Sequence, residues 1–264
     1  MTKEILQANM DKTITNQTYG DLQQTLSSNN VLPYVLLLQG LSDLVMEERG
    51  SPGQIVRSTN AEVLGGTKSP VEFIPLTFTD SWTVQEKIGQ KFEYLRTEPR
   101  TAANQDAPWD FTEGGVECRR IKCFNVFALL KKDVDTALEM QELAKKGEPV
   151  DPDKALLPVV ISFRSMSFPA GKAVSTYFSK AKSVGSPPYV KSIKLACHQE
   201  KNDKGTFFVY DIMEGTMQDK ATRDVAATWY SSIAQGLKSN TVVMDEAGTS
   251  KAEETAKVNT QTKF

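Results

Sequence analysis

Between Ala155 and Gln199 the chain carries no Asp or Glu, although acidic residues outnumber basic ones 33 to 31 overall. Within that stretch Arg164, Lys172, Lys180, Lys182, Lys191 and Lys194 are interleaved with Phe163, Phe168, Tyr177, Phe178 and Tyr189. Cations neutralise a phosphate backbone and aromatic faces stack on unpaired bases, so the mixture suits a single-stranded nucleic acid. An upstream group repeats the pattern less cleanly. Lys87, Lys91, Phe92, Tyr94, Arg96 and Arg100 precede Trp109, Phe111, Arg119, Arg120 and Lys122, with Glu93, Glu98 and Glu117 mixed in. The competing reading is a set of core strands and a helix whose lysines are solvated on outer faces. In FPAGKAVSTYFSKAK, Tyr177 and Phe178 share an apolar helical face with Ala170, Ala173, Val174 and Ala181 and read as core. Phe163, Phe168 and Tyr189 stay open.

Other chemistries have weaker footing. Cys118, Cys123, Cys197 and His198 could in principle ligate zinc, but adjacent ligands rarely both aim at one tetrahedral centre. The three cysteines form no disulfide framework, so a reducing cytoplasm is the default expectation. His198 is the only histidine, and no nucleophile elbow, P-loop or dinucleotide-binding glycine turn is present. Asp106, Asp110, Glu113 and Glu117 precede Arg119, Arg120 and Lys122, which would let a divalent-metal-dependent nuclease hold a cation near phosphate if those acids converged. Solvated loop acids are commoner. The expectation is a non-enzyme with no cofactor.

The elements that must position these residues are mostly strands. Residues 1–30 are polar and read as a flexible arm, 31–238 as the domain, and 239–264 as a disordered tail. Gln54 to Ser58 and Glu62 to Gly65 read as a hairpin. Val71 to Trp82 alternates as a strand with an edge or bulge at Pro75. Lys91 to Arg96 alternates again, and parity puts Arg96 on the face of Phe92 and Tyr94. A long loop over Thr97 to Val116 leads to a strand from Arg119 to Leu130, and a helix is expected over Thr136 to Lys146. Leu156 to Ser165 is β-rich, a helix starts near Pro169, a hairpin turns at Glu200 to Gly205, and Asp219 to Leu237 is an amphipathic helix. Consecutive strands without βαβ alternation argue for an α+β, mainly β fold: an OB-like antiparallel barrel with long insertions and flanking helices. In such a barrel the two basic–aromatic groups would line one groove from neighbouring strands. The apolar run Val31 to Leu38 is too short for a membrane span, so no membrane partner is expected.

Several segments together resemble a family of phage-encoded proteins from replication and recombination regions. They are LPYVLLLQGLSDLV, PGQIVRSTNAEVLG, VEFIPLTF, LPVVISFRSMSFPAGKAVSTYF and KNDKGTFFVYDI, spanning most of Leu32 to Ile212. The resemblance implies a single-stranded-DNA-binding protein with an OB-type barrel, acting in the cytoplasm of an infected host cell. It also implies recruitment of phage replication or recombination proteins through the C-terminal tail. Here Asp245, Glu246, Glu253 and Glu254 are diluted by Lys251, Lys257 and Lys263, although Phe264 matches the terminal aromatic of some such tails. A homo-oligomer is compatible with all of this. On this reading Lys91, Arg96, Arg119, Arg120, Lys122, Arg164, Lys172, Lys180, Lys182, Lys191 and Lys194 contact phosphates. Tyr94, Trp109, Phe163 and Tyr189 stack on bases. The rival is a virion or host-interaction protein in which the basic stretch only balances acids elsewhere.

Overall fold

A computed structural model describes residues 32–203 and 205–238. The expected arm and tail lie outside the described residues. Among those described, ten strands form one sheet: β1 Tyr34–Leu37, β2 Gln54–Arg57, β3 Val63–Gly66, β4 Val71–Ile88, β5 Lys91–Pro99, β6 Asp110–Glu113, β7 Val116–Leu130, β8 Val159–Arg164, β9 Lys191–Asn202 and β10 Gly205–Met217. Four α-helices accompany it among the described residues: α1 Asp43–Met46, α2 Lys131–Lys145, α3 Phe168–Ser183 and α4 Lys220–Lys238. The strand order is β10-β9-β4-β7-β8-β1-β2-β3, with β5 on β4 and β6 on β7. Every pair is antiparallel except β1 with β8. The sheet is strongly curled into a half-barrel.

Alternation along β7 and β8 sorts side chains to the two faces. Phe124, Val126, Ala128 and Leu130 join Val159, Ile161 and Phe163 in a concave core with Val35, Ile55, Phe73, Leu195 and Tyr210. Phe127, Leu129 and Val160 point the other way, into a convex core with Ile74, Leu76, Trp229 and Ile233. Thus α3 lies over the concave side through Val174 and Phe178, and α4 covers the convex side through Ala226, Trp229 and Ile233. Each fully buried side chain of this kind contributes about 1.5–3 kcal/mol.

The curl brings β10 round towards β1 and β2, and side chains close the seam. The Gln39 amide donates to Phe208 O and accepts from Phe208 N–H, both at 2.9 Å, in place of a strand pairing. Tyr210 Oη donates to Val35 O at 3.3 Å, and Cys197 Sγ donates to Gly53 O at 2.9 Å. Gly53 sits at φ 82°, and a Cβ there would stand 2.6 Å from the Phe208 ring, so glycine permits both the turn and the contact.

The expected hairpins and the helices near Pro169 and Asp219 are present, and the register of β4 on β7 shifts between Pro75 and Thr77, as a proline inside a strand requires. Three elements differ. α2 begins at Lys131, directly from β7. β4 runs on past Trp82 to Ile88, and the presumed loop before Arg119 contains β6 and the start of β7. Exposed and partly charged segments such as Asp110–Glu113 carry little hydrophobic alternation, so their strand state is set by pairing with β7.

Candidate nucleic-acid interface

The first seven residues of β7 are mostly exposed or half-buried, whereas the last eight are buried. That step marks where the body ends. Beyond it, the far half of β4, the near half of β7, β5 and β6 form a four-stranded wing in the order β5-β4-β7-β6.

On the concave side of the wing, Trp82 is wholly buried and its Nε1 donates to Asn104 O at 3.2 Å. The Arg100 guanidinium and the Lys122 ammonium each lie 5.5 Å from its ring centroid. Lys122 also lies 5.8 Å from the ring of Trp109, which is 58% exposed. Arg120 stacks 3.7 Å from Phe111 and reaches Glu98 at 3.4 Å. Arg96 is bridged by Glu98 at 2.7 Å and Glu113 at 2.8 Å, and those hydrogen bonds, Glu113's foremost, raise its pKa. Burial pushes the Glu98 carboxyl up, but hydrogen bonds from Arg96 and Arg120 outweigh it and leave it below the usual carboxylate range. Arg96 and Arg120 are therefore held by acids, whereas Lys122 has no ion pair among the described residues.

The concave surface continues onto α3. Gly171 lets the helix approach so closely that a Cβ there would stand 2.7 Å from Phe163 Cβ. Phe178 lies 4.8 Å from Phe78, which lies 4.6 Å from Phe124 and remains 38% exposed between the helix and the wing. Lys172, Lys180 and Lys182 are exposed on α3, and Lys172 sits 5.6 Å from the Phe168 ring.

The convex side of the wing is different. Tyr94, Thr97 and Thr83 meet Cys123, Asn125, Ser162 and Arg164 around a polar cavity of about 10 Å³, room for a single water. Farther out, the Arg119 guanidinium lies 4.3 Å from the Phe92 ring and is ion-paired to Asp110 at 2.8 Å. Lys91, paired with Ile88 at the start of β5, alternates to the concave face and is half-buried.

Several expectations need correction. Phe163 is wholly buried, edge-on to Tyr210 at 5.5 Å, so it has no face to offer a base. Tyr189 packs with Tyr230 at 5.6 Å against the convex core, away from Trp109. Arg96 does not share a face with Phe92 and Tyr94. Val84 pairs with Arg96 while Gln85 pairs with Tyr94, so Leu95 is a bulge residue that reverses the parity. Nor do the two basic groups share one groove. Lys194 pairs with Glu72 near the start of β4, and Arg96 pairs with Val84 near its end, about 40 Å away along the strand at the usual rise. Lys191 is ion-paired to Glu214 at 2.9 Å.

The carboxylates of the nuclease reading do not converge. Asp110 faces Arg119, Glu113 faces Arg96 and Glu117 faces Lys87, and no metal-binding group of three or more His, Cys, Asp or Glu occurs among the described residues. Cys118 and Cys123 are five positions apart on β7 and fall on opposite faces; both are buried and in no disulfide, and the Cys123 thiol donates to Asn125 Oδ1 at 3.2 Å. Among the described residues no helix is long and apolar enough to cross a membrane. Sequence reasoning missed Phe78 as an exposed ring and did not single out the Phe92–Arg119 pair. Both depend on cross-strand or helix–strand contacts that local periodicity does not carry.

Comparison with family models, curated proteins and solved structures returned no match for this chain.

Proposed function

We propose that the protein is a sequence-tolerant single-stranded DNA-binding protein of phage replication or recombination, its half-barrel serving as an OB-type platform. The observation that carries this is the exposed Trp109 beside Lys122, a stacking face and a cation with no ion pair among the described residues, on one concave surface. Phe78 adjoins that surface, packed against Phe178 of α3, on which Lys172, Lys180 and Lys182 are exposed. A single strand laid along it would stack on Trp109 and Phe78 and place a phosphate against Lys122. A curled antiparallel sheet with aromatic platforms holds single strands in this way.

The test is an anisotropy titration with matched single-stranded and duplex oligonucleotides at three salt concentrations. Tight single-strand binding that weakens steeply with salt supports the reading, and no binding at low salt overturns it. Trp82 and Trp229 are buried, so oligo-dT should quench mainly Trp109, and Trp109→Phe should abolish most quenching and weaken binding. Loss of one stacking contact corresponds to about 1–3 kcal/mol. A second reading, a virion or host-interaction protein, is favoured by one observation: Arg96, Arg119, Arg120 and Lys191 are already paired to carboxylates. It predicts no salt-dependent binding to DNA and retention of this protein by a phage or host protein.

A further inference from the structure

The wing holds a cleft of about 460 Å³, within the size range of small-ligand pockets, lined mainly by convex-face residues and bordered by Phe111 of the concave strip. Its floor is the Phe92 ring with the Arg119 guanidinium stacked 4.3 Å from the centroid. Asp110 holds Arg119 from one side at 2.8 Å, and the Lys87–Glu117 ion pair forms the opposite wall. Arg119 is 43% exposed and Asp110 70%, so the guanidinium surface and carboxylate oxygens remain open to a ligand. The two cations and two acids cancel, which makes the cleft a poor phosphate trap. It instead offers a flat cationic surface bordered by acceptors.

From this we infer a nucleobase subsite: an unpaired base stacks on Arg119, and Asp110 or Glu117 accepts a hydrogen bond from its exocyclic amino group. Guanidinium planes stack on splayed bases, and carboxylates accept from the cytosine N4 amino group. Thymine has no amino group, so the cleft discriminates against it. The subsite rests on the single-strand reading and adds a base preference to it, because a strand on the wing could reach both faces around the exposed end formed by Lys87 and Ile88.

The test titrates the full chain with oligo-dC and oligo-dT of equal length, and separately with free dCMP and dTMP, followed by NMR shifts. Wild type, Asp110→Asn, Phe92→Leu and Trp109→Phe are compared. Phe92→Leu keeps apolar volume if removal of the ring endangers folding, and Asp110→Asn alters an exposed group. The expected result is oligo-dC binding about fivefold tighter than oligo-dT, the lower end of one base-edge contact. That ratio falls towards one in Asp110→Asn and Phe92→Leu and persists in Trp109→Phe. Equal affinities in wild type, or a ratio unchanged in both cleft variants, would overturn the subsite while leaving single-strand binding intact. Absence of binding by either oligonucleotide defeats the parent reading. In that case dCMP-selective shifts at Phe92 and Arg119 would still support a subsite for free nucleotides, and their absence would remove it.

Discussion

At the scale of single residues, chemical type proved a poorer guide than exposure. Phe163 and Trp109 are both aromatic beside cations, yet one is wholly buried and the other 58% exposed. Phe163→Ala should therefore cost about 3–5 kcal/mol in denaturant unfolding and leave the oligonucleotide affinity of the folded fraction unchanged. A loss of affinity at full stability would restore Phe163 to the site. His198 gives a second residue-scale prediction. Its Nδ1 lies 2.7 Å from Asp211 and its Nε2 3.1 Å from Glu200, and the Asp211 hydrogen bond foremost raises its pKa. For a histidine with a raised folded pKa, the stabilisation is fully present below the unfolded value near 6.5 and is lost as pH rises through the folded value. Stability should thus decline above about pH 6.5, and His198→Gln should flatten that decline in a series of urea melts. An identical slope in the variant would show that the β9–β10 cluster does not couple to folding.

At the scale of elements, the bulge at Leu95 and the approach of α3 set what the wing and the concave surface can present. Arg96 and Tyr94 are separated by the bulge, which sends Arg96 to Glu98 and Glu113 and Tyr94 to the polar cavity. Strand parity was readable from the sequence; the extra residue was not, because a bulge is stabilised by the partner strand and leaves no local compositional mark. The proline-linked shift near Pro75 was legible, since a missing N–H disrupts a ladder wherever it falls. α3 was legible from its apolar face, but its depth depends on Gly171. Gly171→Ala should destabilise the protein by about 1–3 kcal/mol, through displacement of α3 from Phe163 and Phe124. The check is thermal unfolding together with near-ultraviolet dichroism of the Phe78–Phe124–Phe178 cluster.

At the scale of the whole molecule, the half-barrel depends on a seam made by side chains. Gln39 satisfies both the N–H and the C=O of Phe208 across the gap between β10 and β1. Gln39→Leu leaves both groups without that partner and should cost about 1–3 kcal/mol. Hydrogen exchange at the Phe208 amide should accelerate more than exchange at amides of the β4–β7 ladder. Uniform acceleration would mean that the seam opens only with global unfolding.

The sequence by itself determined the mainly β class, most of the long strands and helices, the β9–β10 hairpin and the apolar faces. These follow from periods of two and 3.6 and from turn residues, which are local properties of the chain. It also marked Trp109 and Lys122 as candidates, and the structure brings their side chains together. Only the tertiary structure decided which cations stay available, since pairing of Arg96, Arg119 and Arg120 with Glu113, Asp110 and Glu98 requires cross-strand register. It likewise decided that Phe163 is core and that β5 and β9 attach to opposite ends of β4. Exposure and register depend on residues distant in the chain, and composition cannot encode them.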